Sequence, residues 1–410
     1  MEPQPVISFD DTEIAFAYKT DNELKQAHFL FSSMRYPWLV KAGVKFTPLL
    51  VKGNFPFVKS MMRNTIFKQF VGGETLQETA AVADRLEQYG VQVILDYGVE
   101  GKDGEDNFEH ACDEFIRVIN YASTQHNIPF MSVKVTGFAR FALLEKMDSM
   151  MHRAEGSLVK RYLKTVDDLS KEEKEEWHRV RHRMLRVCQT AAERKVGVFI
   201  DAEETWIQDP VDALTLLMMD SYNKEKCIVY NTTQHYRTDR LPFLKDCYEA
   251  AVERNFILGA KLVRGAYMEK ERKRAKEMGY PSPIQPDKES SDRDFDAGVK
   301  FCIDHLDRIS LVVASHNERS NMYAVELLQQ KGLPLKHPHV HWSQLYGMSD
   351  NITFNLARAG CNVSKYLPFG PIKDVVPYLM RRAQENTSIG GQTGRELGLI
   401  KKEMKRRGLR

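Results

Sequence analysis

No stretch of this 410-residue chain approaches 18 uninterrupted apolar residues, so no membrane-spanning helix is expected. Cysteine is sparse. The six, Cys112, Cys188, Cys227, Cys247, Cys302 and Cys361, form no CxxC pair and sit in apolar or helical context, which reads as reduced core thiols. Charge is nearly balanced, at +3 with a pI near 8.3, too mild for a nucleic-acid binder. No low-complexity tract or exact repeat occurs. The opening "MEPQPVISFDDTEIAF" has no signal-peptide pattern and is too acidic for a transit peptide. The expectation is a cytoplasmic chain, or one whose presequence is gone.

What is present is ordinary for a globular enzyme: 42% hydrophobic and 28% charged residues. Eight β-branched runs alternate with longer amphipathic stretches: 91–98, 129–137, 196–204, 227–234, 257–267, 309–317, 340–348 and 361–370. Near-continuous apolar runs suit parallel strands covered on both faces. Strand–helix alternation implies right-handed βαβ units. Eight such units predict an α/β fold, a closed (β/α)8 barrel, although counting alone leaves a doubly wound sheet open. Each run starts apolar and ends polar, at Asp96, Lys134, Asp201 with Glu203, Gln234, Lys261 with Arg264, His316 with Asn317, and Tyr366. That polarity favours the barrel, whose strand carboxyl ends carry chemistry.

Residues 1–85 read as a helical segment on the barrel, 86–396 as the barrel, and 397–410 as a basic tail. Ser170 and Glu173 predict a capping box opening a long helix. The tail "KKEMKRRGLR" is either a solvated helix face or a weak contact for anionic lipid.

A Gly-x-Gly-x-x-Gly fingerprint is missing, so any dinucleotide must be held by barrel loops rather than a Rossmann domain. His337, His339 and His341 alternate, as metal ligands can, but fall at the start of a strand, away from the mouth. Lys134 ends the second strand, and its natural partner is Asp201 on the third. One acid of "IDAEE" is expected to cap the following helix. "KLVRGAY" offers Lys261, Arg264, Gly265 and Tyr267: cations, a glycine permitting close approach and an aromatic, which suits a pyrophosphate and a ring system. In "VVPYLMRRAQEN", Pro377 fits a first helical turn. Tyr378, Arg381 and Arg382 then share one face. Two guanidiniums side by side suit a carboxylate held in bidentate fashion.

Together "VKVTG", "FIDAEE", "NTTQHY", "GAKLVRGAYMEKERKRA", "VASHN", "LYGM", "KYLPFG" and "PYLMRRAQEN", in this order, resemble the proline dehydrogenase family, in its monofunctional, animal-type branch. The resemblance covers about residues 85 to 395. It implies a distorted (β/α)8 barrel that binds FAD and oxidises L-proline to Δ1-pyrroline-5-carboxylate by hydride transfer from C5 to flavin N5. A membrane quinone would take the electrons, with the protein cytoplasmic, peripheral on an inner membrane, or on the mitochondrial matrix side. Arg381 and Arg382 would hold the proline carboxylate, with Lys134 near it and paired to Asp201. Tyr366, Tyr378, Leu262 and Tyr267 would line the ring, and Glu385 would support the arginine helix. FAD would meet Gln234, Lys261, Arg264, Gly265, Ser315, His316 and Asn317. The bifunctional relatives often exchange lysine and arginine at positions 261 and 264. No metal is implied. The related hydroxyproline dehydrogenases tend to carry a small residue where Tyr366 stands, so proline is the expected substrate. A metal-dependent barrel hydrolase built on the His337–His341 cluster is the remote alternative.

Overall fold

The structure, a computed structural model, describes residues 7–36, 60–98, 103–388 and 392–409 together with positions 38, 40 and 43. Eight parallel strands close into a barrel in sequence order. They are β1 (Val91–Tyr97), β2 (Phe130–Val133), β3 (Gly197–Ile200), β4 (Val229–Gln234), β5 (Leu258–Val263), β6 (Ile309–Ala314), β7 (Val340–Leu345) and β8 (Val363–Phe369). The predicted barrel is therefore observed, and all eight apolar runs supply a strand. Most strands end several residues earlier than the runs do. Lys134, Asp201, Arg264, Gly265, Tyr267, Ser315, His316 and Asn317 all lie just past a strand end. These polar residues leave the ladder because their side chains have no place between sheet and helices.

The helices, in chain order, begin with α1 (Thr12–Phe16), α2 (Asp21–Met34) and α3 (Leu76–Glu87). Between α2 and α3, residues 60–70 are helical, with a π-helical turn at Arg63–Phe67. There follow α4 (Glu105–Ala122), α5 (Phe141–Met151), α6 (Leu158–Asp168), α7 (Lys171–Arg194), α8 (Gln208–Tyr222), α9 (Arg240–Glu253), α10 (Met268–Met278), α11 (Lys288–Asp304) and α12 (Glu318–Gln330). The last are α13 (Asp350–Arg358), α14 (Ile372–Ser388) and α15 (Gln392–Arg406).

By internal contacts the chain divides into two units, one of residues 1–100 and 342–410, the other of residues 101–341. In the second unit, β2 to β6 pair consecutively, with Phe130 opposite Gly197 and Lys261 opposite Thr232. The capping box at Ser170 forms as expected: Glu173 N donates to Ser170 Oγ and Ser170 N to Glu173 Oε2. An aromatic layer fills this part of the barrel. Phe130 stacks on Phe199 with centroids 4.7 Å apart, and Tyr230 and His341 stand edge-on to them. Burial drives the His341 imidazole down to about 3, so it is a neutral core group. His339 Nδ1 lies 2.7 Å from the Leu306 carbonyl. The histidine cluster is thus spent on packing and backbone contacts.

In the first unit, β8 pairs with β1 and β7, and the N- and C-terminal helices share one core. Leu24, Ala27, Phe31 and Met34 of α2 recur at helical spacing and meet Ile372, Val375, Val376 and Leu379 of α14 and Leu397, Ile400 and Met404 of α15. The segment Val71–Glu74 runs beside the end of β8: Gly72 N donates to Pro368 O and Gly370 N to Gly73 O. Pro377 lies inside α14 rather than in its first turn, because that helix already begins at Ile372. The basic tail is mostly helical. Arg406 and Arg407 close on Glu403, and Arg407 also donates to the carbonyls of Phe16 and Lys19.

Candidate functional site

The second unit gathers most of the predicted residues at the ends of β2 to β6. Asp201 immediately follows β3, and Lys261 points toward it from β5. Lys261 Nζ donates to Asp201 Oδ1 at 2.6 Å, while Lys134 Nζ stands 3.9 Å from Oδ2. The expected Lys134–Asp201 pair exists, but Lys261, expected at the flavin, is the tighter partner. Burial alone would raise the Asp201 carboxyl. The ammonium of Lys261, then that of Lys134, overcomes this and holds it down to about 2. The Phe199 ring lies beneath the Lys261 ammonium, 5.3 Å from it, so the pair rests on the aromatic layer.

Beyond β5, Arg264 is fixed on three sides. Its Nε donates to Asp292 Oδ1 at 2.7 Å, and its terminal nitrogens to Ser315 Oγ at 2.8 Å and Ser320 Oγ at 2.9 Å. Its guanidinium stacks on Phe295 at 4.3 Å. Ser315, His316 and Asn317 lead into α12, and Asn317 is its N-cap, accepting from Ser320 N. A 13-residue helix presents its positive end here beside a fixed guanidinium, a combination that favours an anion. Gly265 takes φ +140°, and a Cβ there would fall 2.4 Å from the Tyr236 ring. The close approach expected of this glycine is thus made to Tyr236. Tyr267 caps α10 and Leu262 is wholly buried in β5. Gln234 ends β4; its Nε2 donates to Glu203 O at 2.9 Å, and its Oε1 is buried without a hydrogen-bond partner.

Two groups in this unit, Glu271 and Asp292, were not foreseen, and a third, Glu203, was expected only as a strand-end acid. Glu203 caps no helix; its Oε1 accepts from Thr136 Oγ1 at 2.6 Å, and burial raises its carboxyl to about 7. Its neighbour Gln208 accepts from Glu203 N instead. Glu271, wholly buried, accepts from both Thr205 N and Thr205 Oγ1. Asp292 anchors Arg264 from the start of α11. Glu203 was visible in "IDAEE", but Glu271 and Asp292 lie in highly charged helices where nothing marks one acid as buried.

The first unit holds the other predicted residues. Tyr366 lies in β8, in register with Ile94 of β1 and Leu345 of β7, and is 8% exposed. Tyr378, Arg381 and Arg382 follow one another on α14 as the spacing predicts. The Arg382 guanidinium lies over the Tyr378 ring at 5.3 Å, and both residues are buried. Arg381 is half-buried. Glu74, tied to Arg63 at 3.1 Å, accepts from Ile372 N at the start of α14. The side chain of Glu385 lies outside the described residues. Among the described residues, no helix is long and apolar enough to cross a membrane.

A parallel barrel with a cation-rich set of residues at its strand ends defines an α/β-barrel enzyme. The profile of the family described as proline dehydrogenase matches residues 79–395, and the chain belongs to that family. It is 31% identical to proline dehydrogenase 1, mitochondrial, of Dictyostelium discoideum, over 97% of this chain and 74% of that protein. It is equally, 31%, identical to hydroxyproline dehydrogenase of Xenopus laevis, over 99% of this chain and 91% of that one. The carbapenem antibiotics biosynthesis protein CarD of Pectobacterium carotovorum is 33% identical, with 82% and 83% covered. Among solved structures, proline utilization A from Bdellovibrio bacteriovorus, inactivated by N-propargylglycine, superposes with a TM-score of 0.69 at 18% identity. That match covers 96% of this chain but only 38% of the other, so it speaks for the fold.

Proposed function

We propose that this chain oxidises L-proline to Δ1-pyrroline-5-carboxylate with bound FAD and passes the electrons to a quinone. Family membership supports the reaction class. The observation that carries the cofactor is the wall formed by Lys261, Arg264 and the α12 N-terminus, together with the buried Gln234 Oε1. The cations and the helix end match the charge of a pyrophosphate. The orphaned carbonyl oxygen of Gln234 matches an N–H donor of the kind a flavin ring carries. When bound, FAD supplies the two-electron acceptor for the hydride leaving proline C5.

The chain's own residues bind and orient. Arg381 and Arg382 take the proline carboxylate, and the ring of Tyr378 holds the Arg382 guanidinium in one orientation. Tyr366 packs on the substrate ring. Asp201 remains ionised across the working pH range and keeps Lys261 in place. Lys134, 3.9 Å from the other carboxylate oxygen of Asp201, is the second cation assigned to the substrate in this reading. Positioning of this kind supplies much of the rate in a hydride transfer.

The test is an absorbance spectrum of the purified protein before and after L-proline, without an electron acceptor. A flavin spectrum that bleaches on addition of proline supports the reading. A protein that takes up no FAD on reconstitution refutes it. The resemblance to hydroxyproline dehydrogenase in Xenopus favours one second reading, oxidation of trans-4-hydroxyproline. Tyr366 weighs against it, since the related hydroxyproline dehydrogenases tend to carry a small residue at this position, where a 4-hydroxyl would need room. Replacing Tyr366 by Ser is then expected to shift preference toward hydroxyproline, read as a ratio of kcat/KM values.

A further inference from the structure

Three acids follow β3, and two of them are closed on cations. Asp201 carries Lys261 and Lys134, and Glu204 pairs with Lys270 of α10. Glu203, between them in sequence, makes no ion pair among the described residues. Its Oε1 accepts from Thr136 Oγ1 at 2.6 Å, and its Oε2 has no hydrogen-bond partner among the described residues. The residue is half-buried, at the end of the barrel where such folds carry their chemistry.

The segment that carries this acid is held from three sides. Glu203 N donates to Gln208 Oε1 at 3.1 Å, and Glu203 O accepts from Gln234 Nε2 at 2.9 Å. Two residues on, Thr205 N and Thr205 Oγ1 both donate to the buried Glu271 of α10. Thr136, which fixes the carboxylate itself, lies two residues past Lys134 at the end of the adjacent strand β2. Lys134 and Glu203 therefore place a cation and an acid at neighbouring strand ends, the charge pattern of a zwitterionic amino acid. Burial raises the Glu203 carboxyl, the Thr136 hydrogen bond and the Lys134 charge restrain the rise, and Glu204 and Asp201 add to it, leaving it at about 7. The charged groups of α10 are turned elsewhere: Lys270 to Glu204, Glu271 to Thr205, and Arg274 to Glu145 and the Trp206 ring.

We propose that Glu203 is a catalytic residue, whose carboxylate takes the proton from the ring ammonium of the bound amino acid. The inference rests on the proline-oxidation reading and supplies a step which that reading leaves open. An ammonium has no lone pair, so a double bond to its nitrogen cannot form until one N–H bond breaks. That proton passes to Glu203 Oε2, and the electron pair of the bond stays on nitrogen. As the hydride carries two electrons from C5 to the flavin, the nitrogen lone pair closes the C5–N double bond. The product leaves as its iminium, and the proton on Glu203 goes to solvent. A carboxylate that titrates near the working pH is matched to this task, being ionised often enough and basic enough. Asp201, held at about 2 beside two ammonium groups, is too weak a base for it.

The test follows flavin bleaching by saturating L-proline in the full-length holoenzyme, by stopped flow, from about pH 5 to about pH 9. The wild-type rate should rise with pH and level off above about 7, where Glu203 is ionised. E203Q keeps an oxygen that accepts from Thr136 but carries no base. Its rate on the plateau should fall roughly 100-fold or more, and the inflection should vanish. T136V removes the hydrogen bond that favours the ionised carboxylate, so its inflection should move to higher pH. Tetrahydrofuran-2-carboxylate, with an ether oxygen where proline has its amine, has no proton to give up. By calorimetry E203Q should bind it within about threefold of the wild type, since only a step after binding is lost. An inflection near 7 that survives in E203Q overturns the inference. So does an analogue affinity that falls by the same factor as the rate, which would make Glu203 a structural residue. If proline bleaches the wild-type flavin at no pH, the proline-oxidation reading fails and the inference with it. Bleaching of the wild type together with an unchanged E203Q rate removes the inference alone.

Discussion

Lys261 lies closer to Asp201 than Lys134 does, at 2.6 Å against 3.9 Å, and on a different carboxylate oxygen. One carboxylate therefore serves two cations unequally. Lys261 is 7% exposed at its side chain and rests on Phe199, so it has little water to fall back on. Replacing Asp201 by Asn should leave that cation uncompensated, at a cost of about 3–5 kcal/mol. The double variant D201N/K261M removes both charges and should recover most of the loss. The pH dependence has a defined sign. Asp201 is held at about 2, below the ordinary Asp value of about 3.9. Its contribution to stability is full above that ordinary value and is lost as pH falls through about 2. Thermal melts between pH 2 and 5 should therefore fall more steeply for the wild type than for D201N/K261M. Parallel curves would show that the pair is not what holds Asp201 ionised.

Gly265 and Gly279 offer a matched comparison. Both take positive φ, +140° and +73°. At Gly279, which ends α10, a Cβ would meet nothing within 4 Å, so G279A should cost only the left-handed backbone term, about 1 kcal/mol. At Gly265 the Cβ would fall 2.4 Å from the Tyr236 ring, which is buried and cannot swing away. G265A should therefore lower Tm several-fold more than G279A, and it should lower FAD retention as well. Equal effects would mean that the 265 turn can shift as a body.

How much of this the sequence makes legible depends on the kind of signal. The eight strands are legible because a doubly covered strand must be apolar along its length, and a polar residue marks where it ends. Tyr378, Arg381 and Arg382 are legible because helical spacing alone puts them on one face. Partner choice is not. The sequence pairs Lys134 with Asp201 by strand adjacency, whereas the twist of the sheet delivers Lys261 from two strands away more closely. Pro377 is misplaced because a proline inside a helix is costly, and nothing local shows that α14 has already begun at Ile372. Glu271 and Asp292 stay hidden since burial of one acid in a charged helix is a property of what packs against it.

Asp148 reports on packing outside the barrel mouth. It lies on α5, and its Oδ1 accepts from Asp209 N at 2.9 Å. Arg161 stands 3.1 Å from Asp209 Oδ2, and His152 Nδ1 is 3.6 Å from Asp148 and 3.7 Å from Asp209. Burial, then the charge of Asp209, pushes the Asp148 carboxyl up to about 8. The folded state then holds a proton that the unfolded state releases near pH 4, so this group's contribution falls as pH rises from about 4 to about 8. D148N keeps the oxygen that accepts from Asp209 N and carries no ionisable group. Its Tm relative to wild type should rise by a few °C between pH 5 and pH 9. A constant difference across that range would show Asp148 to be ionised throughout.

Arg382 tests the substrate assignment separately from the cofactor. It is 7% exposed and stacked on Tyr378, so its fork is held in one orientation before any ligand arrives. Lysine keeps the charge but loses the planar pair of donors and the stacking. If Arg382 grips the proline carboxylate, R382K should lower kcat/KM for proline roughly 10- to 100-fold, the loss expected for a charge-assisted bond worth about 1.5–3 kcal/mol. Most of that loss should appear in KM, because the carboxylate is gripped in the ground state as well as in the transition state. Arg382 is not among the proposed flavin contacts, so FAD content should match the wild type. Binding of a carboxylate analogue of proline that cannot be oxidised, followed through the flavin spectrum, should weaken by the same factor as KM rises. If the analogue binds R382K as tightly as wild type, Arg382 does not hold the carboxylate, and the clamp must be sought elsewhere on α14.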